Sequence, residues 1–513
     1  MGSLSAVLKL MAVVLLLMGG IHFAFLRPPT HPRNIPAVPF WVVLLPFFFD
    51  VDQEETFKRY IQDPLLKHGA VKIFFGAQWN ILVQRPEYVA QIFKNEDLYQ
   101  KSGNQKKIPH SVLAEFLGDN IISAHGESWK LYQKVVKPGL QGRFEVQPIL
   151  SNALQLAGLV REAQDSVGHK GGIPVQQLLQ RYTIANAAQC LHQADFGTMT
   201  SDESRLDKLQ MAVKLHIFRP IFMNFPVLDR LPLRSRRRAR EAVRELSSEL
   251  LETIKASHLH CGKPCSPDSD RLGCRLLASH QSGILSDRQL RDNINVTFVA
   301  GQENPQLALI STLYLLAKHR DVQEALGGAV GVIEPTITAL SEMPLLTAVI
   351  LESLRLFPPI GQLINRKVHG VGFLGDGGES VFVPDGSYIG YNCYATNRDP
   401  HVWKDAEQFV PSRWGQTSEE IARRYRRAKM KAEFTTFHGG RRACLGERFA
   451  LLQLRVTLWA LLRQWQWGLD PSWKERMTPA GPLYPRQLRL SFTARELKMP
   501  FGVHSDDGAL GGL

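Results

Sequence analysis

The sequence predicts a mainly α-helical protein with small β-sheets, preceded by an N-terminal transmembrane helix. Its 44% hydrophobic and 21% charged residues are typical of a folded globular chain. Helices are indicated where apolar residues recur at intervals of three and four, in segments 206–223, 239–257 and 287–318. Strand-like segments are short, at 70–75, 80–84 and 380–383. Few strands among many helices argue against a doubly wound sheet.

The first element is the apolar run 10–26, 17 uncharged residues between Lys9 and Arg27. Its length is near the lower limit for a transmembrane helix, and residues 4–8 can extend it. A cleaved signal peptide is the alternative, but no small-x-small cleavage site precedes the Pro-rich segment that follows. Positive charge is greater after the run than before it, which places the body of the chain in the cytosol. We therefore expect a retained, single-pass anchor.

Two later apolar stretches are expected to lie against lipid or to pack into the core. Residues 35–49 contain three prolines and are short for a span, and residues 217–231 are rich in Phe, Ile, Met and Pro. We divide the 513 residues into an anchor with a Pro-rich linker at 1–34, one large domain at 35–505, and a flexible tail at 506–513.

The net charge of +13 suits an anionic membrane surface, an acidic protein or nucleic acid. The densest basic run begins a helical pattern and consists of Arg234, Arg236, Arg237, Arg238 and Arg240. A solvated helix start is its simplest interpretation. Because no zinc-finger, RNP-like or basic-zipper pattern accompanies it, we expect no nucleic-acid partner. Six cysteines are too few for a disulfide scaffold and favour a reducing compartment or chemical roles.

Segment 437–450 carries a pattern suited to a metal-bound thiolate. It reads Phe437-His438-Gly439-Gly440-Arg441-Arg442-Ala443-Cys444-Leu445-Gly446-Glu447-Arg448-Phe449-Ala450. A thiolate ligand needs a tight loop, backbone N–H donors directed at sulfur, and close approach of the group that carries the metal. Glycines permit that approach, and a following helix N-terminus stabilises the negative sulfur. A buried structural cysteine is the competing interpretation.

This segment resembles the haem-binding loop of the cytochromes P450, because it matches Phe-x-x-Gly-x-Arg-x-Cys-x-Gly at every fixed position. The resemblance covers about residues 35–500 and implies the P450 fold, with 35–505 as the haem-thiolate catalytic domain. It implies haem b with its iron bound by Cys444 and further haem contacts from Phe437, Arg442 and Gly446. Arg442 is implied to meet a propionate as a fork-shaped donor.

Two further segments precede this loop in the chain and occur in the order that the family has. One resembles the Glu-x-x-Arg helix and contains Glu352 and Arg355, which share a helix face. The next resembles the meander motif and contains Arg413. The resemblance gives these three residues a structural role as a buried triad beneath the haem. Arg366 lies near the position where the family places a propionate-binding arginine.

The helix that reaches the other propionate departs from the family pattern. That pattern is Trp-x-x-x-Arg, whereas this chain has Trp129 followed by Gln133. Trp129 can still donate its indole N–H. We expect Lys130 or Lys134 to supply the charge that the missing arginine would have provided.

The oxygen-activating helix departs as well. It starts at a capping box, Ser286 to Gln289. The family motif is Ala/Gly-Gly-x-Asp/Glu-Thr-Thr, and this chain reads Ala300-Gly301-Gln302-Glu303-Asn304-Pro305, so Asn304 and Pro305 replace the two threonines. We expect Glu303 and Asn304 to be catalytic by handling protons for dioxygen. Pro305 has no N–H for the carbonyl of Gly301, so we expect a kink and a freed carbonyl that could hold a water. Alternatively, Asn-Pro only tunes the helix shape.

The favoured hypothesis is a P450 monooxygenase in the endoplasmic reticulum membrane with a cytosolic catalytic domain. No flavin or nicotinamide fingerprint occurs in the chain, so electrons are expected from NADPH through a separate cytochrome P450 reductase, whose acidic surface the positive charge suits. Short motifs at 101–107 and 300–306 resemble the fungal dityrosine-type branch. That resemblance implies a small tyrosine-derived substrate and oxidative phenol coupling, C–C or C–O, in specialised metabolism.

Three alternatives stay open. The first is a haem-thiolate hydroxylase of another small lipophilic substrate. The second is a reductase-independent isomerase or dehydratase, which the missing alcohol in the proton relay makes conceivable. The third is a non-catalytic binding protein tethered to the membrane.

Overall fold

The computed structural model describes residues 2–22, 26–168, 171–202, 204–217, 219–260, 265–331, 333–376 and 380–495. Helices form most of this part of the chain, as predicted. They are α1 (Gly2–Ile21), α2 (Leu45–Phe48), α3 (Gln53–Phe57), α4 (Asp63–His68), α5 (Pro86–Lys94), α6 (Asn104–Lys107), α7 (Val112–Leu117), α8 (Gly126–Gln141), α9 (Val146–Val167), α10 (Val175–Asn186), α11 (Arg205–Ile217), α12 (Pro220–Asn224), α13 (Arg234–His260), α14 (Leu272–Gln281), α15 (Asp287–Lys318), α16 (Arg320–Val330), α17 (Ile337–Ser341), α18 (Pro344–Leu356), α19 (Cys393–Thr396), α20 (Ser418–Met430) and α21 (Glu447–Gln464).

Three small sheets accompany the helices. Their strands are β1 (Ala70–Phe75), β2 (Gln78–Val83), β3 (Tyr99–Lys101), β4 (Ile173–Pro174), β5 (Gln362–Val368), β6 (Gly372–Leu374), β7 (Val381–Val383), β8 (Tyr388–Asn392), β9 (Trp465–Leu469) and β10 (Arg489–Ala494). The largest sheet has the order β1-β2-β8-β5-β3, and the others have the orders β4-β10-β9 and β6-β7. Only the β2–β8 pair is parallel among the strand pairs described. The β3–β5 register places Lys101 opposite Arg366.

Helix α15 organises the larger of two hydrophobic cores. It begins at the predicted capping box of Ser286 and Gln289 and runs without interruption through Pro305 to Lys318. Most of its side chains are buried, and it packs against α10, α14, α18 and α21. The smaller core lies between the five-stranded sheet and α5. The predicted helix 287–318 is therefore confirmed.

The predicted helix 206–223 is divided into two. Helix α11 ends at Ile217, and α12 starts at Pro220 after Arg219, which has extended backbone angles. Pro220 lacks an N–H and restricts the residue before it, so it begins a helix more readily than it continues one. The predicted strand 70–75 coincides with β1.

The basic run at the start of α13 is only partly solvated. Arg234, Arg237 and Arg238 are exposed, but Arg236 is 2% exposed and pairs with the buried carboxylate of Asp229. Its guanidinium also lies 3.8 Å from the ring centroid of Phe222. The solvated-helix interpretation is therefore wrong for Arg236, because every third or fourth residue of a packed helix faces its neighbours.

The N-terminal helix α1 exposes apolar side chains, among them Leu10 and Leu16. Among the residues that the structure describes, no helix has both the length and the apolar content needed to cross a membrane. The expected transmembrane helix is thus not supported. Residues 23–25 of the predicted span and the predicted tail 506–513 lie outside the described residues.

The two other apolar stretches, 35–49 and 217–231, meet in space. Phe225 packs against Phe40 and Phe47, with ring centroids 6.4 and 6.0 Å apart. Each stretch buries part of its apolar surface, and the remainder is exposed, as at Phe48 (75%) and Val227 (60%). Each stretch therefore packs some of its apolar side chains into the core and leaves others exposed. We refer to the exposed side chains of both stretches as the apolar patch.

Candidate active site

The thiol loop, residues 437–446, holds the Cys444 sulfur at the start of α21. The Cys444 N–H donates to the Phe437 carbonyl at 2.9 Å, which closes the loop on itself. The Cys444 side chain is exposed to a cavity beside the loop, yet desolvation by the surrounding protein raises the pKa of its thiol to about 11. The N–H groups of Gly446 and Glu447 donate to the sulfur and act in the opposite direction. Donors at a helix N-terminus are suited to a metal-bound thiolate.

The two glycines before the thiol allow the loop to pack closely against α5. Gly440 has φ of +62°, and a Cβ there would lie 2.6 Å from the Phe93 carbonyl oxygen. A Cβ at Gly439 would lie 2.4 Å from a Phe93 ring carbon. A side chain at either position would therefore push the loop away from the sheet and move the sulfur.

A cavity of about 220 Å³ separates the thiol loop from α15. Cys444 and Phe437 form one wall, and Asn304 lies on the other. The remaining lining is largely apolar and includes Ile121, Ile122, Leu191, Val296, Ala300, Ile360, Leu363 and Ala443. The cavity therefore suits a flat apolar group placed between the sulfur and the helix.

One end of the cavity is cationic. Arg366 donates from Nη1 to Glu96 Oε2 at 2.7 Å, and Arg442 donates from Nη1 to Glu96 Oε1 at 3.1 Å. The third cation is Lys101, whose Nζ donates to Asn365 Oδ1 at 3.2 Å. Lys101, Arg366 and Glu96 are each less than 9% exposed. Three cations against one carboxylate leave two positive charges in a buried space.

This cationic end fits the two propionates of the haem that the resemblance implies. Arg366 Nε is buried without a hydrogen-bond acceptor among the described residues, so an acceptor is missing at this point. The Arg442 side chain is 4% exposed, and this burial is the main cause that lowers its pKa, to about 10. An apolar slot, a sulfur on one side and two unmatched positive charges at one end match a planar dianionic macrocycle.

The structure brings most predicted haem contacts to the cavity and leaves two outside it. Trp129, Phe437, Arg442, Cys444 and Gly446 line the cavity, and Arg366 belongs to its cationic end. Lys130 and Lys134 do not line it. Lys130 is 62% exposed and pairs with Glu127 at 2.6 Å, and Lys134 is exposed on α8. These two lysines follow Trp129 and Gln133 by one position, about 100° around the helix, so they face away.

The two predicted catalytic residues lie on different faces of α15. Asn304 lines the cavity, but Glu303 is not among the lining residues. Glu303 Oε2 lies 3.1 Å from the Nζ of Lys214 in α11. Lys214 also donates to Gln180 Oε1 at 2.8 Å and Gln306 Oε1 at 3.2 Å. Glu303 is therefore fixed in a polar cluster between α10, α11 and α15.

The carbonyl that Pro305 frees has a protein donor. Gln453 of α21 donates from Nε2 to the Gly301 oxygen at 3.4 Å. Gln453 Oε1 in turn accepts from Asn186 at 3.2 Å, and Asn186 Oδ1 accepts from Asn152 at 2.9 Å. All three amides are at most 3% exposed. A chain of side-chain amides, rather than water alone, thus reaches the freed carbonyl.

The predicted triad is assembled below the thiol loop. Arg355 donates from Nε and Nη2 to the two oxygens of Glu352, both at 2.9 Å, and Arg413 donates to Glu352 Oε1 at 2.8 Å. Trp414 adds a donor to Glu352 Oε2 at 3.0 Å. Glu352 and Arg355 are fully buried. Removal of one partner would leave a buried charge unpaired, at a cost of about 3–5 kcal/mol.

Sequence reasoning did not identify three polar residues of this region: Lys101, Lys214 and Gln453. Lys101 belongs to a polar run that also contains Lys106 and Lys107, which looks like solvated surface. Lys214 and Gln453 occupy single polar positions in helical patterns and carry no motif. A polar residue on an otherwise apolar helix face is the one signal that could have indicated Gln453.

Comparison with known proteins gives consistent matches along the chain. The cytochrome P450 family model matches residues 36–492. Cytochrome P450-DIT2 of Saccharomyces cerevisiae is 43% identical over 497 residues, covering 94% of this chain and 98% of its own length. Cytochrome P450 monooxygenase xanG of Aspergillus fumigatus is 35% identical over 467 residues, covering 89% of this chain and 86% of its own length.

A solved structure has the same fold. The crystal structure of cytochrome P450DA heme domain superposes with a TM-score of 0.72 and covers 93% of this chain and 98% of its own. Its sequence identity is 19%, so this likeness concerns the fold alone.

Proposed function

This chain belongs to the cytochrome P450 family, and we propose that it couples small tyrosine-derived phenols oxidatively, using dioxygen. Family membership makes it a monooxygenase whose haem is held by a cysteine thiolate, and Cys444 is the cysteine of the matching loop. The observation that carries the proposal is the placement of Cys444 and Asn304 on two walls of one mainly apolar cavity. The fungal relatives are consistent with a dityrosine-type P450.

Phenol coupling sets definite demands on electrons and protons. Bound haem supplies the binding and reductive activation of dioxygen. Two phenol rings each lose one hydrogen atom and form one C–C or C–O bond. These two hydrogen atoms, together with two electrons and two protons from outside, reduce one dioxygen to two waters. The protein must therefore admit protons and electrons to an otherwise apolar cavity.

Asn304 and Glu303 are the residues that we assign to proton handling. The Asn304 amide both donates and accepts, so it can orient a water in the cavity. Glu303 precedes Asn304 in the chain. Lys214 of α11 fixes the Glu303 carboxylate on the side of α15 that meets α11. In the proposed path, protons reach the Glu303 cluster and pass to the cavity through water that the Asn304 amide orients.

Electrons are proposed to enter at a basic face beside the thiol loop. We define this basic face as the exposed Lys130, Lys134 and Lys137 of α8 together with Arg441 and Arg448. The Arg441 guanidinium lies 5.6 Å from the ring centroid of Trp129, so the loop and α8 adjoin here. A cluster of cations next to the thiol loop suits an acidic NADPH–cytochrome P450 reductase.

Association with the endoplasmic reticulum membrane is proposed through α1 and the apolar patch. Trp41 is 48% exposed, Phe48 75% and Phe49 65%, all on one stretch near the N-terminus. The exposed Arg219 and Arg230 lie in the adjoining stretch. Aromatic side chains beside arginines are suited to the interface of an anionic bilayer.

The deciding experiment is a reductase-coupled assay on the purified full-length protein. We expect a thiolate-type band in the reduced carbon-monoxide spectrum and NADPH-dependent formation of dimers from small tyrosine-derived phenols. Products that carry one added oxygen atom would favour a hydroxylase instead. Turnover without reductase would favour an isomerase or dehydratase, and absence of the band would leave only a binding role.

A further inference from the structure

The cationic end of the cavity contains a buried lysine that no family motif assigns. Lys101 ends strand β3, is 5% exposed and lines the same cavity as Cys444. Its Nζ donates to Asn365 Oδ1 at 3.2 Å, so one of its three ammonium protons has an acceptor among the described residues. Ammonium groups are rarely buried unless an anion accompanies them.

The carboxylate in the cluster is already shared by two other cations. Glu96 accepts from Arg366 with one oxygen and from Arg442 with the other. Burial, together with repulsion from Arg366 and Arg442, lowers the pKa of Lys101 well below its usual value. Lys101 therefore occupies a place that favours an additional anion within the cavity.

The helix that should supply a cation to this space does not do so. Gln133 stands in α8 where the family pattern has arginine, and its side chain lines the cavity without charge. The lysines nearest to it in sequence, Lys130 and Lys134, are exposed on another side of α8. Arg442, expected from the motif, lines the cavity together with the exposed Arg441 and with Lys101. Lys101 is therefore the buried cation that the described structure adds to the expected one.

We propose that Lys101 binds a carboxylate at the cationic end of the cavity, a haem propionate, and so replaces the arginine that is missing at Gln133. This proposal rests on the proposed haem-thiolate function. With Lys101 included, the three cations and Glu96 leave two positive charges, which equals the charge of two propionates. Lys101 is then a positioning residue that holds the cofactor from β3 rather than from α8.

The test follows haem loss from the full-length ferric enzyme to an excess of an apoglobin acceptor. Replacement Lys101→Met removes the charge and retains an apolar stem, and we expect haem loss to accelerate at least about tenfold, because one partner of a buried charge pair is gone. Lys101→Arg keeps the charge and should stay within about threefold of the parent. Lys101→Gln serves as a second uncharged variant should the methionine form fail to fold.

Lys107 supplies a matched control. It is a half-buried lysine of the same segment, but its Nζ donates to Asn80 Oδ1 at 2.7 Å and lies 4.9 Å from the ring centroid of Tyr388. It does not line the cavity. Lys107→Met should therefore leave the rate of haem loss unchanged. Equal rates for the parent and both uncharged Lys101 variants would overturn the proposal.

Haem with methyl-esterified propionates distinguishes the two sources of a carboxylate. If Lys101 binds a propionate, Lys101→Met and the parent should lose the esterified haem at the same rate. If Lys101 binds the carboxylate of a substrate instead, Lys101→Met would leave the loss of ordinary haem unchanged, which contradicts the proposal. A thiolate-type carbon-monoxide band in the parent and the variants keeps this outcome separate from a failure of the haem-thiolate function.

Discussion

At the scale of single residues, the chemistry depends first on the sulfur of Cys444. Replacement Cys444→Ser should abolish the thiolate-type absorption of the reduced carbon-monoxide complex, because a hydroxyl is a far poorer electron donor and is not ionised at neutral pH. Cys393 offers a control, since it is fully buried and its Sγ donates to the Thr435 carbonyl at 3.7 Å. Cys393→Ser should keep the band, and full retention of the band in Cys444→Ser would disprove the ligand assignment.

Asn304 is the polar residue on which the proposed proton path depends. Asn304→Leu should leave the carbon-monoxide spectrum unchanged but reduce product formed per NADPH by at least about tenfold, with peroxide released instead, because proton delivery slows. Asn304→Thr should retain more coupling, since a hydroxyl can also donate and accept. Product and peroxide are measured per NADPH consumed. Equal coupling in Asn304→Leu and the parent would restrict Asn304 to a role in helix shape.

Residue roles could be predicted from the sequence where the family pattern was intact, and less well where it was broken. Cys444 and Arg442 follow a complete motif, and both line the cavity. Gln133 breaks its motif, and the two lysines predicted to replace the charge, Lys130 and Lys134, are close in sequence but exposed on another side of α8. Lys101, which we propose supplies this charge, reaches the cavity through β3–β5 pairing with a segment over 260 residues away. Such pairing leaves no local sequence signal.

At the scale of elements, the junction of α15 and α21 depends on the amide of Gln453. Gln453→Leu removes the donor to the Gly301 carbonyl and the acceptor of Asn186, so it should cost about 1–3 kcal/mol of unfolding free energy. Pro305→Ala restores an N–H that can donate to the same carbonyl. In the Pro305→Ala background the penalty of Gln453→Leu should therefore be smaller. Urea unfolding of the four proteins forms a double-mutant cycle, and a coupling energy near zero would contradict this account.

Helices and strands could be predicted where the sequence pattern that defines them lies within the element itself. The bounds of α15 coincide with the predicted 287–318, because a capping box and a long apolar pattern define it. Helix α11 ends sooner than predicted because Pro220 starts a new helix. The sequence does not predict strand β8, because all five of its residues are buried and show no alternation. One of its two partners, β2, is also distant in sequence.

At the scale of the whole molecule, the net charge of +13 is proposed to act through the basic face beside the thiol loop. Lys134→Glu should lower the rate of reductase-supported haem reduction several-fold and weaken its salt dependence, while the carbon-monoxide spectrum stays unchanged. Arg237→Glu, an exposed change on α13, is the matched control and should have little effect. Reduction rates are measured by stopped flow at several ionic strengths. If both variants lost the same fraction of the reduction rate, the effect would come from the net charge of the protein and not from the basic face.

The whole protein is proposed to meet the membrane through two parts, α1 and the apolar patch. Deletion of residues 1–26 should leave haem binding intact, since the cavity is built from residues 101–454. The truncated protein should still bind anionic vesicles in part, because the apolar patch with Trp41, Phe48 and Val227 remains exposed.

Replacement of these three side chains by serine in the truncated protein should abolish that residual binding, whereas Met430→Ser should not. Met430 is 76% exposed at the end of α20, where the neighbouring Lys429 pairs with Glu447 beside the thiol loop. Vesicle flotation with and without salt separates the apolar contribution to membrane binding from the contribution of Arg219 and Arg230, because salt screens charge. A truncated protein that stays free of vesicles in both conditions would restrict membrane association to the deleted segment.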